Sequence, residues 1–302
     1  MSKRKVETFG MWVPSADSEG GWLLEYVYTQ REQAMLAYRS PDGEVGVAEY
    51  VDIGGVRYTP TKADAFVLSR RITFPSGLGE AATSGEMLRR VGEFLRRHFV
   101  STPEGYALVA RYVLLTWLYD VFDVVPYLRF RGGSEADREG VAALVGSVCY
   151  RALDVGDDPA TLKQALAAHH GTALMRRMDV SEKFDGRLGI LQVGALRRMA
   201  QVWHIERAPG GGFKGRVVDV FGPKVVTMAG TFRDPALEGR CLTLTLGADA
   251  LLDGSYLREA EALRNMLLRW RLEHWRADMS LSRGGVRETW GRFTKWLCEV
   301  VV

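Results

Sequence analysis

"YLRFRGGSEADREGVAALVGSVCY", residues 127–150, holds a short apolar strand, a glycine turn and then an apolar-periodic helix. In that order, backbone N–H groups and a helix N-terminus can cradle a nucleotide phosphate. The pattern that does so is G-x-x-x-x-G-K-[ST]. Counted from Gly132, its last three places fall on Asp137, Arg138 and Glu139. The frame is present without the residues that carry its chemistry.

Outward from this stretch, short apolar runs alternate with helical periodicity. Strands are expected at 125–130, 172–175, 202–206, 217–221, 224–228 and 241–246. Helices are expected at 138–151, 159–169, 186–200, 255–276 and 286–299. This alternation predicts an α/β sheet covered by helices. Upstream, "WLLEYVYT", "QAMLAYRS", "GVAEYVDIGG" and "FVLSRRITF" are rich in aromatic and β-branched residues and separated by turn chemistry, so they read as strands. "TFPSGLGEAATSG", 73–85, reads as a linker. "GEMLRRVGEFLRRHFV" puts Leu88, Val91, Leu95 and Phe99 on one helical face, and "PEGYALVARYVLLTWLYDVF" is apolar enough to be buried. The expected organisation is a small β-rich N-terminal domain at 1–75, a linker and helical segment at 76–124, and a core with a helical C-terminal end at 125–302.

Composition excludes several classes. The 302 residues are 47% hydrophobic and 25% charged, ordinary globular usage, and the net charge of +3 gives no whole-chain field for nucleic acid. Cys149, Cys241 and Cys298 are isolated, which argues against a metal cluster and for a reduced, cytoplasmic setting. The N-terminus has no apolar segment of the signal type, and no run of 18 apolar residues occurs, so no membrane partner is expected. His169 and His170 read as a polar helix terminus. Trp270, Trp275, Trp290 and Trp296 read as packing residues, and the arginines of "LRNMLLRWRLEHWR" as a solvated face.

The layout is similar to that of P-loop ATPases related to AAA+ and phage-type helicases, as found in replication proteins of phages, plasmids and integrated elements. "YVLLTWLYDVFDVVPYLRFRG" enters the loop and "VGSVCYRAL" leaves it. "HHGTALM" leads to the second acidic motif, "VFGPKVVTMAGTFRDPALEGRCLTLTL" follows, and "EALRNMLLRWR" resembles the closing helix. The resemblance covers roughly 85–276, and its most specific run is "FGPK…FRDPALEGR". It implies a P-loop NTPase-like core.

The departures fall on the residues that would perform hydrolysis. In the family, glycine lets the backbone approach the phosphates, lysine meets them and a hydroxyl binds magnesium. Asp137 and Glu139 bring negative charge to the first and third of these places, and Arg138 lacks the compact charge of lysine. The family's Asp-Glu pair falls on Arg176 and Arg177, with Asp179 two residues beyond; Glu182 is the other acid near by. The resemblance thus implies an inactive ATPase with no catalytic residues of its own and no cofactor. ATP and magnesium belong to the alternative, a working helicase or translocase with unusual motifs. A purely structural use of the fold is the third reading.

Two further places carry expectations. Arg240, in "DPALEGRC", matches the family position of an arginine finger acting in trans, which implies association with copies of itself or with an active ATPase homologue. "VWHIERAPGGGFKGRVVDVF" reads as two strands joined by a Pro/Gly tip flanked by Lys214 and Arg216. Within 186–224, seven lysines and arginines face two acids, a balance suited to sequence-independent contact with DNA phosphates.

Overall fold

The computed structural model describes residues 3–15, 20–179, 186–207, 210–251, 255–277 and 284–299. Glu182, the tip residues Ala208 and Pro209, and the Cys298 side chain lie outside the described part.

The N-terminal strands are β1 (Arg4–Thr8), β2 (Gly10–Pro14), β3 (Gly21–Tyr28), β4 (Ala34–Arg39), β5 (Val45–Ala48), β6 (Val51–Ile53) and β7 (Val56–Pro60). β2-β3-β4-β5 form an antiparallel sheet, and β1-β7-β6 a smaller one in which β1 and β7 run parallel. The expected strand across 66–74 is corrected. Its first half is the helical turn α1 (Ala65–Leu68), because the Asp64 carboxylate accepts from the N–H groups of Phe66 and Val67, both at 3.0 Å. Only β8 (Ile72–Thr73) is extended.

Then follow α2 (Ser84–His98), α3 (Pro103–Thr116), β9 (Tyr127–Gly132), α4 (Glu135–Gly146), β10 (Ala152–Leu153), α5 (Pro159–His169), β11 (Ala173–Met175) and α6 (Gly186–Gly194). The chain continues through β12 (Gln201–Arg207), β13 (Phe213–Asp219), β14 (Lys224–Thr227), α7 (Pro235–Glu238), β15 (Cys241–Leu246), α8 (Leu257–His274) and α9 (Val286–Glu299). The caps explain several starts: Thr83, Thr102, Ser134 and Asp158 stand at N-cap positions, and proline opens α3 and α5. In α2 the buried residues include Met87, Val91, Phe94, Leu95 and His98, so the packed face is turned from the predicted one and leaves Leu88 at its edge.

The central sheet has the order β15-β9-β14-β11-β10-β8, parallel except for β8 at its edge. β14 and the first four residues of β9 are buried, as a strand covered on both faces must be, and the buried Arg129 and Lys224 within them are hydrogen-bonded. β10, two residues long, is too short to read from periodicity. One hydrophobic cluster runs from Leu23, Tyr26 and Val27 of β3 through α2, α3 and the central sheet to Phe293 of α9.

That junction contains a buried ion cluster. Strand alternation puts Glu25 in line with Leu23 and Val27, facing the core. Its carboxylate accepts from Arg151 at 2.8 Å, Arg271 at 2.7 Å and the Tyr150 hydroxyl at 2.8 Å. Arg271 also binds Asp120 through two nitrogens, at 2.8 and 2.6 Å. The expectation of a solvated α8 face is therefore corrected: Arg264 and Arg271 are 9% and 2% exposed, and Arg264 donates to the Ser147 carbonyl. His169 is likewise fully buried, with Nε2 at 2.8 Å from Asp64 and Phe9 against its ring. Replacing Glu25 with Ala leaves two buried guanidiniums without their shared anion. Denaturant unfolding is expected to show a loss of about 3–5 kcal/mol. A drop below about 1 kcal/mol would place the cluster outside the energetics of the junction.

Candidate functional site

The carboxyl ends of β9, β14 and β11 lie side by side, since Phe130 pairs with Thr227 and Met175 with Val226. The chain leaves β9 and reaches β10 three places away, while β15 returns on the other side of β9. The strand order reverses here, and in open α/β sheets ligands bind in the crevice beyond the strand ends at such a point.

The loop after β9 turns through Gly132 (φ 74°) and Gly133 (φ 56°) into Ser134. A Cβ on Gly132 would stand 2.5 Å from the Leu246 carbonyl, and one on Gly133 2.7 Å from that of Gly247, so glycine is required at both. The helix starts at 135, three residues earlier than expected, because Ser134 and Asp137 form a reciprocal capping box. Asp137, Arg138 and Glu139 therefore belong to its first turns.

Each of these three side chains is engaged within the fold. Asp137 accepts from the Ser134 N–H at 3.0 Å, the Ser134 hydroxyl at 2.6 Å and the Leu251 N–H at 3.3 Å. The Ser134 hydroxyl bond and then the backbone donors hold this carboxyl below its usual pKa. The chain's own carboxylate thus takes up the donors of this turn. Arg138, 9% exposed, turns its guanidinium back onto the carbonyls of Gly132 at 3.0 Å and Gly133 at 2.9 Å. Glu139 accepts from the Thr227 hydroxyl and lies 3.5 Å from Arg176 Nε.

Arg176 and Arg177 follow β11, next to that helix turn. Arg176 reaches Asp154 at 2.6 Å, and Arg177 (φ 50°) pairs with Asp157 while its N–H donates to Thr227 Oγ1 at 2.9 Å. Arg187 also binds Asp157, at 2.7 Å. Asp179 accepts from the N–H groups of Ala229 at 2.6 Å and Gly230 at 3.0 Å. The structure brings Asp137, Arg138, Glu139, Arg176 and Arg177 to one edge of the sheet. It adds Thr227, Asp154 and Asp157, which sequence reasoning missed, although the acidic run "DVGDD" at 154–158 was a signal for counter-charges. Among the described residues no group of three or more His, Cys, Asp or Glu side chains could hold a metal ion.

Arg240 lies apart from these residues. Its guanidinium donates to the carbonyls of Leu191 and Gln192 in α6. Lys214 and Arg216 are exposed on the β12–β13 hairpin, opposite Glu206 and His204. The other hairpin face carries Trp203, Ile205, Phe213 and Val217, which are 66%, 65%, 78% and 50% exposed. Sequence reasoning treated these as strand residues and missed that they face solvent. No described helix is long and apolar enough to cross a membrane.

No known protein-family profile matches the chain, and no curated protein matches it. Among solved structures, it is similar to the A-form apo structure of the NrS-1 C-terminal region. That likeness has a TM-score of 0.37 at 9% identity, over 83% of this chain and 69% of that one. A second apo structure of the same region gives 0.36 at 10% identity, over 90% and 72%. A JCV helicase solved with a bound thiazolopyridine compound gives 0.26 at 14% identity, over 72% and 69%. Likeness at these TM-scores carries no argument about activity.

The root of the hairpin is fixed by Lys224. It is fully buried, and its ammonium donates to the carbonyls of Val220 at 2.6 Å, Gly222 at 2.8 Å and Gly194 at 3.3 Å. Burial pushes its pKa down from 10.5 to about 7, with Asp219 opposing. Between about pH 7 and 10.5 the unfolded chain then holds a proton that the folded chain lacks, so stability rises with pH across that window. Chemical unfolding at about pH 7 and about pH 9.5, both inside that window, is expected to show this rise, and Lys224→Met is expected to flatten it. An equal slope in parent and variant would contradict the assignment.

Proposed function

We propose that this chain is a non-hydrolysing relative of helicase-type replication ATPases, acting as an assembly or DNA-associated subunit. The observation that carries the reading is the closure of the loop after β9 by its own side chains. Asp137 takes the donors that an anion would use, and Arg138 is tied to the carbonyls of Gly132 and Gly133. The strand–glycine turn–helix at the reversal of strand order supports a P-loop ancestry. The cations of Arg176 and Arg177, where a metal-dependent hydrolase needs acids, support loss of turnover.

Under this reading DNA contact belongs to the β12–β13 hairpin. Exposed Lys214 and Arg216 suit phosphates, and exposed Trp203 and Phe213 suit stacking on unpaired bases. Neither pair reads a base edge, so binding is indifferent to sequence. Arg240, held by α6 in its own chain, would have to leave those carbonyls to reach a second copy or an active homologue.

The purified protein is expected to show no magnesium-dependent ATP turnover above background and no saturable heat in ATP titration. Turnover that disappears in Arg138→Ala would overturn the non-hydrolysing reading. For DNA, affinity is expected to fall steeply with salt. Combining Lys214→Ala with Arg216→Ala is expected to flatten the salt slope by about one unit for each cation taken from the phosphates. If that double variant binds single-stranded DNA as the parent does, DNA does not meet the protein at the hairpin.

A further inference from the structure

A cavity of about 270 Å³ lies at the opposite edge of the central sheet, where residues preceding β10, β11 and β14 meet β2, β3 and the end of α8. Its volume equals roughly nine waters' share of liquid, enough for a one- or two-ring compound but small for a drug-sized ligand. Part of its wall is aromatic: Trp12 and Trp275 meet at 6.3 Å, and Tyr119 and Phe221 at 6.0 Å.

The charges around it cancel. Arg197 lies 4.2 Å from the centre of the Phe221 ring, and Arg151 and Arg271 each 4.8 Å from that of Tyr150. These aromatic faces already carry cations, so a further cation gains little and meets three guanidiniums. Opposite them stand Glu25, Asp120 and Asp219. Arg151 and Arg271 are paired with Glu25, and Arg271 with Asp120, which leaves no surplus positive charge for a phosphate. The lining carries three cations and three anions, a balance that favours a neutral occupant.

Three polar groups are positioned to orient it. Tyr119 is 6% exposed and His170 is exposed, and both line the cavity. His170 stands at the rim, where its ring offers one donor and one acceptor nitrogen in the neutral form. Asp219 uses one oxygen to accept from the Phe221 N–H at 2.8 Å, and its other oxygen remains an acceptor. Arg151 (φ 44°) and His170 (φ 45°) both hold left-handed backbone at the cavity wall, a conformation that non-glycine residues adopt at a cost and that gathers at ligand sites.

We propose that this cavity binds a neutral, planar heteroaromatic compound of the nucleobase or nucleoside class, with ring stacking from its walls and hydrogen bonds from Tyr119, His170 and Asp219. The site is separate from the loop after β9 and does not depend on the reading of that loop.

Calorimetric titration of the full chain with adenosine, guanosine, cytidine and uridine tests this, with AMP and choline as charged probes. At least one nucleoside is expected to bind saturably, and AMP and choline at least tenfold more weakly. Tyr119→Phe, which removes the hydroxyl, and Asp219→Ala are each expected to weaken the nucleoside by about fivefold, with parental melting confirming the fold. Three results would overturn the proposal: no saturable binding by any nucleoside, equal binding of AMP or choline, or unchanged affinity in both variants.

Discussion

The carboxylate of Glu25 is the point on which the rest of the architecture depends. It sits on a strand of the N-terminal sheet yet faces the common core, 3% exposed, between Arg151 from the turn after α4 and Arg271 from α8. Two cations and one anion removed from water are tolerable only because Asp120 completes the charge balance and Tyr150 adds a hydrogen bond. The geometry admits one docking of the N-terminal strands on the central sheet, since a shift of one residue would turn Glu25 away from both arginines. The same cluster forms one wall of the cavity at the amino-terminal edge of the sheet.

At the carboxyl-terminal edge, a related principle closes the loop after β9. A nucleotide site needs unsatisfied donors and, for hydrolysis, acids for a metal. Here the donors are taken by Asp137, the guanidinium of Arg138 faces backbone carbonyls, and Arg176 and Arg177 are paired with Asp154 and Asp157. These side chains therefore behave as a set. Each charge that would oppose a nucleotide has an internal partner, and the strand–turn–helix frame keeps its packing role. Gly132 and Gly133 are required here because they pack against the carbonyls of Leu246 and Gly247 at the end of β15, a constraint of the sheet itself.

Much of the core was legible. α5 and β15 occupy the stretches expected for them, because Asp158-Pro159 marks a helix start and "CLTLTL" a strand. The helix α4 starts three residues before the expected position, since the Ser134–Asp137 capping pair lies inside the motif frame counted from Gly132. The strand expected at 66–74 hid a helical turn begun by Asp64. The roles of Arg264, Arg271 and His169 were not legible at all. An arginine in a helical pattern reads as solvated until its partner is known, and Glu25 lies 246 positions from Arg271 in the chain. The loop's charges were read one by one from the sequence, but their mutual pairing is visible only in three dimensions.

The central claim is that the loop after β9 is closed by its own side chains. Amide NMR of the full chain during titration with MgADP tests it directly, by following Gly133, Ser134, Asp137 and Leu251. The account predicts that these resonances stay in place at millimolar nucleotide, with the Ser134 and Leu251 amides still donating to Asp137. Saturable shifts confined to these four amides would contradict it and reopen the loop as a nucleotide site.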